Sequence, residues 1–202
     1  MHPNKSFTRT DEAELLAFIG EAVLARIFAQ TPDGPRVAHV PVLVRHQAEG
    51  PVLHFHLANG NALAKSIDGL LALAVCEGPN GYISPNWYQD VRGSVPTWNY
   101  VTVECEGIVR VLKRPALIAL LDDLTAMMEP RVGENWSRAK MEASRFDAML
   151  GAITAYELEI TGLRGTRKLS QNKADVEVAG VLAGMDANGM GAISGAMREL
   201  RR

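Results

Sequence analysis

Three groups of residues in this 202-residue chain have types and spacing suited to chemistry. The run Asn59-Gly60-Asn61-Ala62-Leu63-Ala64-Lys65-Ser66 leaves a strand, turns on Asn-Gly and enters a helical turn capped by Asn61. Free backbone N–H groups at a helix start, with Lys65 one turn in and Ser66 beside it, suit an anion such as a phosphate. The same run reads as a capped connector with a solvated Lys. It is not a GxxxxGK[ST] loop, which disfavours a nucleoside triphosphate. His54 and His56 share one face of a strand, and His39 lies on a neighbouring strand. Three imidazoles can hold zinc or iron, but no HExxH or ExxxH partner follows, and an HxH pair is also an ordinary surface or hydrogen-bonded motif. No metal site is expected, and His56, just before the Asn-Gly turn, equally suits donation to a ligand oxygen. The third group is aromatic: Tyr82, Trp87, Tyr88, Trp98 and Tyr100 crowd into one stretch, interleaved with Ser84, Asn86, Thr97 and Asn99. Flat apolar area with amides and hydroxyls between suits a pocket for a planar heterocycle, a subunit interface, or the aromatic face of a core sheet.

Other chemistries lack their residues. Gly189-Met190-Gly191 has neither a preceding strand nor the sixth-position Gly of a dinucleotide loop. There is no GxSxG elbow. Cys76 and Cys105 stand alone without CxxC spacing and read as small buried hydrophobes.

These residues are positioned by a mostly antiparallel sheet. A first helix is expected from about Asp11 to Ala22, with Thr10 and the acidic Asp11, Glu12 and Glu14 at its start. Leu24–Ala29 and Arg36–Val44 make a hairpin around Thr31-Pro32-Asp33-Gly34-Pro35. Pro41 lies inside the second strand and cannot donate to a ladder, so it marks an edge, a bulge or a break in pairing where ligands approach backbone. Val52–Leu57 is a third strand. Leu70–Cys76 is a fourth, and its all-apolar character predicts burial on both faces. Tyr82–Tyr88 and Thr97–Lys113 supply further strand, followed by helices over Pro115–Met128 and Asn135–Leu150 and a strand over Ala152–Thr161. Gly162–Lys173 reads as a basic loop, and the Gly- and Ala-rich remainder as two short helices. The expected organisation is a domain over 1–175 with a helical appendage over 176–202.

Composition narrows the function. Lys and Arg number 21 against 23 Asp and Glu, a formal charge of −2, so the chain lacks the positive excess that drives phosphate-backbone binding. No basic recognition helix can be placed. The longest apolar run is far short of the roughly 20 residues a membrane helix needs, and the N-terminus has no secretory h-region, so a cytoplasmic protein away from membranes is expected.

The blocks Val37-Ala38-His39-Val40-Pro41, His56-Leu57-Ala58-Asn59-Gly60-Asn61, Tyr82-Ile83-Ser84-Pro85-Asn86-Trp87-Tyr88, Val95-Pro96-Thr97-Trp98-Asn99-Tyr100 and Lys168-Leu169-Ser170-Gln171-Asn172 together resemble the PaiB family of FMN-binding negative transcriptional regulators. The resemblance covers residues 1 to about 175. It implies a mainly β fold with flanking helices, the FMN-binding split β-barrel of pyridoxamine-phosphate oxidase, built as a homodimer with FMN at the subunit interface. On that analogy Asn61, Lys65 and Ser66, with Asn59 and His56 nearby, meet the phosphate. The flavin ring lies along the strand of His39 and Pro41 near Tyr82, Ser84 and Trp87, and Trp98, Lys168, Ser170 and Gln171 come from the partner subunit. The family name implies negative regulation, through DNA or a regulatory protein partner. A flavin-dependent reductase or oxidase, and a haem-handling split barrel, are the alternatives.

Overall fold

The computed structural model describes residues 4 to 202. In chain order the elements are β1 (Thr8–Arg9), α1 (Glu12–Ala22), β2 (Leu24–Thr31), β3 (Gly34–Gln47), β4 (Gly50–Ala58), β5 (Leu71–Ile83), β6 (Thr97–Val111), α2 (Arg114–Met128), α3 (Ala143–Leu150), β7 (Ile153–Lys168), α4 (Asp175–Ala187) and α5 (Gly191–Glu199). The seven strands form one sheet in the order β1-β7-β4-β3-β2-β5-β6, with β6 also paired to β7, and every pair whose register is known is antiparallel. The fold is the expected one: a mostly antiparallel sheet with flanking helices.

By internal contacts the described residues divide into two compact units. One holds the residues up to Leu15 with Glu77–Val103 and Arg164–Arg202, and the other holds Leu16–Cys76 with Glu104–Leu163. The second unit carries the β2–β3–β4 meander. Its alternation is clean: Ala25, Ile27, Ala38, Val40, Val42, Phe55, Ala72, Ala74 and Cys76 are buried on one face. The opposite face is covered along part of its width, where Leu43 and Ala155 join Leu117, Leu120, Leu124 and Leu150 of α2 and α3 in a core cluster. Over β2, β3 and β5 that face is open. Leu24, Phe28 and Leu71 are 57%, 39% and 58% exposed, and Val37 is exposed beside Phe28. Register sets Phe28 opposite both Val37 and Leu73, so the exposed side chains form rows across three strands.

In the first unit α4 packs on the turn that follows β5. Gly180 and Gly184 are one helical turn apart, hence on one face, and a Cβ at Gly184 would collide with the Trp87 ring. A Cβ at Gly81 would likewise run into Met190. The C-terminal helices are thus built against the aromatic stretch.

Four expectations are corrected. Tyr82–Tyr88 is strand only to Ile83. Ser84 then accepts a hydrogen bond from Asn86 N–H, and Pro85, which lacks an N–H, opens a 3-10 turn over Pro85–Trp87. Asn135–Leu150 is helical only from Ala143, because residues 131–140 are exposed throughout and present no apolar stripe to bury. The basic segment is strand up to Lys168: β1 pairs with it (Thr8↔Thr166, Arg9↔Gly165) and Glu14 forms an ion pair with Arg167, so pairing supplies what periodicity lacks. The start of α1 is capped by Asp11, whose carboxylate accepts from Glu14 N–H at 2.8 Å, rather than by Thr10.

Candidate functional site

The sequence-predicted site residues fall into two sets, one in each unit. In the second unit they gather where β3 and β4 part. The β3–β4 ladder runs from Gln47↔Gly50 to Val42↔Phe55 and ends at the residue next to Pro41. Beyond it β3 stays with β2 (Leu24↔Pro41, Arg26↔His39), while β4 stays with β7 (His56↔Ala155, Ala58↔Ile153). A proline on that side of the strand has no N–H to offer, which is a local reason for the ladder to stop there. Leu43 pairs with His54, so strand alternation puts His39, Pro41, His54 and His56 on the same face, the one left open over β2 and β5.

The histidines differ in what they do. His54 Nε2 lies 2.7 Å from a Glu157 carboxylate oxygen that also accepts from Gln47, so it is engaged within the sheet. His39 is exposed. His56 is half-buried, and its Nδ1 is shut off from solvent with no hydrogen-bond partner. Burial holds its pKa below the ordinary value of 6.5. Among the described residues no three His, Cys, Asp or Glu side chains come together as a metal cage. The sign of the pH effect follows. Below about pH 6.5 the unfolded chain takes up a proton that folded His56 resists, so stability falls as pH drops and is constant in this respect above 6.5. Urea midpoints at about pH 5.5 and 7.5 are expected to differ less in His56→Gln than in the wild type.

After β4 the chain makes a run of turns. The expected helical turn does not form a helix. Asn61 Oδ1 accepts from Leu63 N–H at 2.9 Å, the bond of a cap, but only isolated turn bonds follow, such as Ala64 N–H to Asn61 C=O and Ile67 N–H to Leu63 C=O. Lys65 is exposed and Ser66 half-buried on this run. Asn59 is committed elsewhere: its Nδ2 donates to Gly151 C=O, its Oδ1 accepts from the Thr154 hydroxyl and its N–H donates to Ala152 C=O. It braces the α3–β7 junction.

In the first unit, of the predicted residues Trp98 lines an open pocket of about 330 Å³, together with Gly78 and Asn80 of β5 and Tyr100 of β6. Its volume lies in the range of small-molecule sites. Trp98 Nε1 donates to Asn80 Oδ1 at 3.1 Å, and Tyr82 meets the Trp98 ring edge-on, centroids 6.1 Å apart. Both rings remain exposed, so neither is a core residue. Trp87 is seated on α4, and Ser84 caps the turn before it. Lys168 Nζ donates to the Thr97 hydroxyl at 2.6 Å, and burial lowers its pKa. Ser170 is buried, with φ of +59°, and accepts from Asn99 Nδ2 at 2.9 Å. Gln171 folds back on its own loop, accepting from Leu169 N–H and donating to the Ser6 carbonyl. Ser170 and Gln171 therefore shape the loop that presents Lys168.

Gly78 and Asn80, which line that pocket, are not among the residues the sequence singles out. The Gly180–Gly184 seat of Trp87 was also missed, and its four-residue spacing was the available signal. Both cysteines are buried, and burial pushes each thiol up to about 12, which removes the thiolate that reactivity requires.

Each set by itself has features of a small-molecule site: an orphaned buried ring nitrogen and an exposed lysine in the second unit, and exposed aromatic faces with a lysine in the first. The sequence matches over residues 1–162 the family model described as "Putative FMN-binding domain". The chain belongs to this PaiB-type FMN-binding family. This family member is 26% identical over 188 residues to the protease synthase and sporulation protein PAI 2 of Bacillus subtilis, covering 90% of this chain and 87% of that protein. Its architecture is shared with the flavocytochrome Anf3 of Azotobacter vinelandii (TM-score 0.61, 15% identity, 83% of this chain and 72% of that one). It is shared also with a FAD and heme binding protein of Mycobacterium smegmatis (TM-score 0.60, 17% identity, 85% of this chain and 78% of that one). The PaiB-type chain therefore has the split-barrel fold found among flavin- and haem-binding proteins. Among its described residues no helix is long and apolar enough to cross a membrane.

Proposed function

We propose that this protein is a cytoplasmic homodimer that binds FMN at its subunit seam and acts as a PaiB-type negative regulator through a partner. The observation that carries the dimer is β5. Its sequence, Leu70–Cys76, reads as buried on both faces, yet the protomer covers only the side of Ala72, Ala74 and Cys76 and leaves Leu71 exposed. A contiguous open apolar face of this kind is what a second copy covers. His39 and Pro41 sit on the same face, so covering it encloses the place where β3 and β4 part. Within the second unit His39, Pro41, His56, Asn61, Lys65 and Ser66 would meet FMN, and by the family resemblance Trp98 and Lys168 would come from the partner subunit. Asn59, Ser84, Trp87, Ser170 and Gln171 would serve chiefly by holding these in place. Bound flavin supplies a hydride acceptor. Regulation through a partner, rather than by direct DNA contact, accords with the charge of −2.

An absorption spectrum of the purified protein tests the cofactor. Flavin bands are expected; haem bands would favour the haem-handling reading that the names of the structural neighbours suggest. Bleaching of bound FMN by NAD(P)H at catalytic rates would favour a reductase instead. Lys65→Ala tests the phosphate contact. Loss of one charge-assisted bond to a phosphate is expected to weaken FMN by roughly ten- to a hundredfold in a fluorescence titration, with no change in thermal stability. Unaltered affinity would move the phosphate elsewhere.

A further inference from the structure

We propose a second binding site, separate from the flavin residues, for a small uncharged apolar molecule in the pocket between α2, residues 129–142 and α3. The pocket measures about 340 Å³. Leu121 and Thr125 of α2, Trp136 and Met141 of the connecting segment, and Phe146 and Met149 of α3 form its walls. Its floor is the outer side of the core cluster, where Leu150 lines the pocket and Leu117, Leu120 and Leu124 are buried in the same cluster.

The chemistry of the occupant follows from the polar groups at the rim. Arg138 and Asp122 are spent on each other, joined by two bonds at 3.0 and 3.1 Å, and the Arg138 guanidinium also lies 5.1 Å over the Phe146 ring. The Thr125 hydroxyl donates to Leu121 C=O at 2.8 Å. A charged ligand would give up hydration against apolar walls with no free counter-charge to meet it, because Arg138 and Asp122 are already paired. An uncharged one only displaces water from apolar walls. The volume is about twice the roughly 150 Å³ that accommodate one benzene ring, which sets the size at two fused or linked rings. Methionines at 141 and 149 adapt to ring shape, and Trp136 and Phe146 offer faces to stack on.

The connecting segment is built as a cover. Residues 131–140 are exposed along their whole length, with one 3-10 turn at Arg138–Lys140. The Arg138–Asp122 pair ties the segment to α2, and within the segment the Glu129 carboxylate accepts from Trp136 N–H at 2.6 Å. No lining group is an unpaired acid, base or nucleophile, so the site recognises rather than reacts. None of the flavin candidates lines it, and the proposal stands apart from the flavin reading.

The test uses the full chain with its flavin and the neutral dye N-phenyl-1-naphthylamine. Saturable binding of one dye per chain is expected, with tryptophan-to-dye energy transfer that falls more in Trp136→Phe than in Trp87→Phe. Two plugs at lining residues of different elements, Thr125→Phe on α2 and Ala152→Leu between α3 and β7, are each expected to weaken the dye by tenfold or more while flavin content stays unchanged. The sulfonated analogue 8-anilinonaphthalene-1-sulfonate is expected to bind at least tenfold more weakly than the neutral dye. Absence of saturable binding, dye affinity indifferent to both plugs, transfer that is unchanged in Trp136→Phe, or equal binding of the sulfonate would each overturn the proposal. Trp136 lies on the exposed segment, so its variant keeps the test decisive if a plug fails to fold.

Discussion

Phe28→Asp is expected to yield a folded monomer that has lost its flavin. Phe28 stands in the middle strand of the open face, with Val37 on one side and Leu73 on the other. In the isolated protomer its ring is already partly in water, so replacement removes little burial and the change in melting temperature is expected to be small. In the dimer the same carboxylate would be enclosed at the seam, with Arg26 on the same face of β2 as its nearest cation. Burying a carboxylate there, offset in part by Arg26, is expected to cost about 2–4 kcal/mol, enough to weaken association by roughly thirtyfold or more. Because His39 and Pro41 share that face, loss of the partner removes half of the proposed flavin site together with the seam. Sedimentation velocity reads the association state and the flavin absorbance per chain reads the cofactor. A monomer that retains full flavin would place the cofactor within one protomer, and a dimer that survives the substitution would place the subunit contact on another surface.

That face illustrates how far the sequence could be read. Alternation and turn chemistry are local, so the hairpin of β2 and β3, the strand β4 and the helices α2, α4 and α5 were legible from spacing alone. Leu70–Cys76 was legible in a different sense. Its pattern signals burial on both sides, which is a property of the sequence in its final assembly, whereas the protomer displays only one covered side. Pro41 announced a break in pairing, but only the register shows that the break is against β4 and not β2. The end of β7 was illegible because Arg164, Arg167 and Lys168 have no apolar period; what makes them strand is pairing with β1, a partner more than 150 residues away. Within the candidate site the residue types were readable and their commitments were not. Asn59, Ser170 and Gln171 look like ligand residues in sequence, and each is engaged with backbone or side chains of its own chain. His56 looks like its neighbour His54, yet only His54 has found a carboxylate.

Packing of the sheet gives the last prediction, in which one substitution type acts with opposite signs at two places. Gly107 lies on β6 beside β7, and a Cβ there would fall onto the carbonyl of Glu159. The obstacle is backbone within a ladder, which cannot swing aside as a side chain would. Relief requires β6 and β7 to separate locally and give up hydrogen bonds. Overpacking of this kind ordinarily costs about 1–3 kcal/mol, and with backbone as the obstructing group Gly107→Ala is expected at the upper end or beyond. Gly20 lies inside α1, where a Cβ meets nothing within 4 Å. Alanine there loses less conformational freedom on folding and meets no steric cost, so Gly20→Ala is expected to stabilise by about 0.5–1 kcal/mol. Urea unfolding of the two variants beside the wild type checks both signs in one experiment. A Gly107→Ala protein as stable as the wild type would mean that β6 and β7 are not in close contact at that point of the sheet.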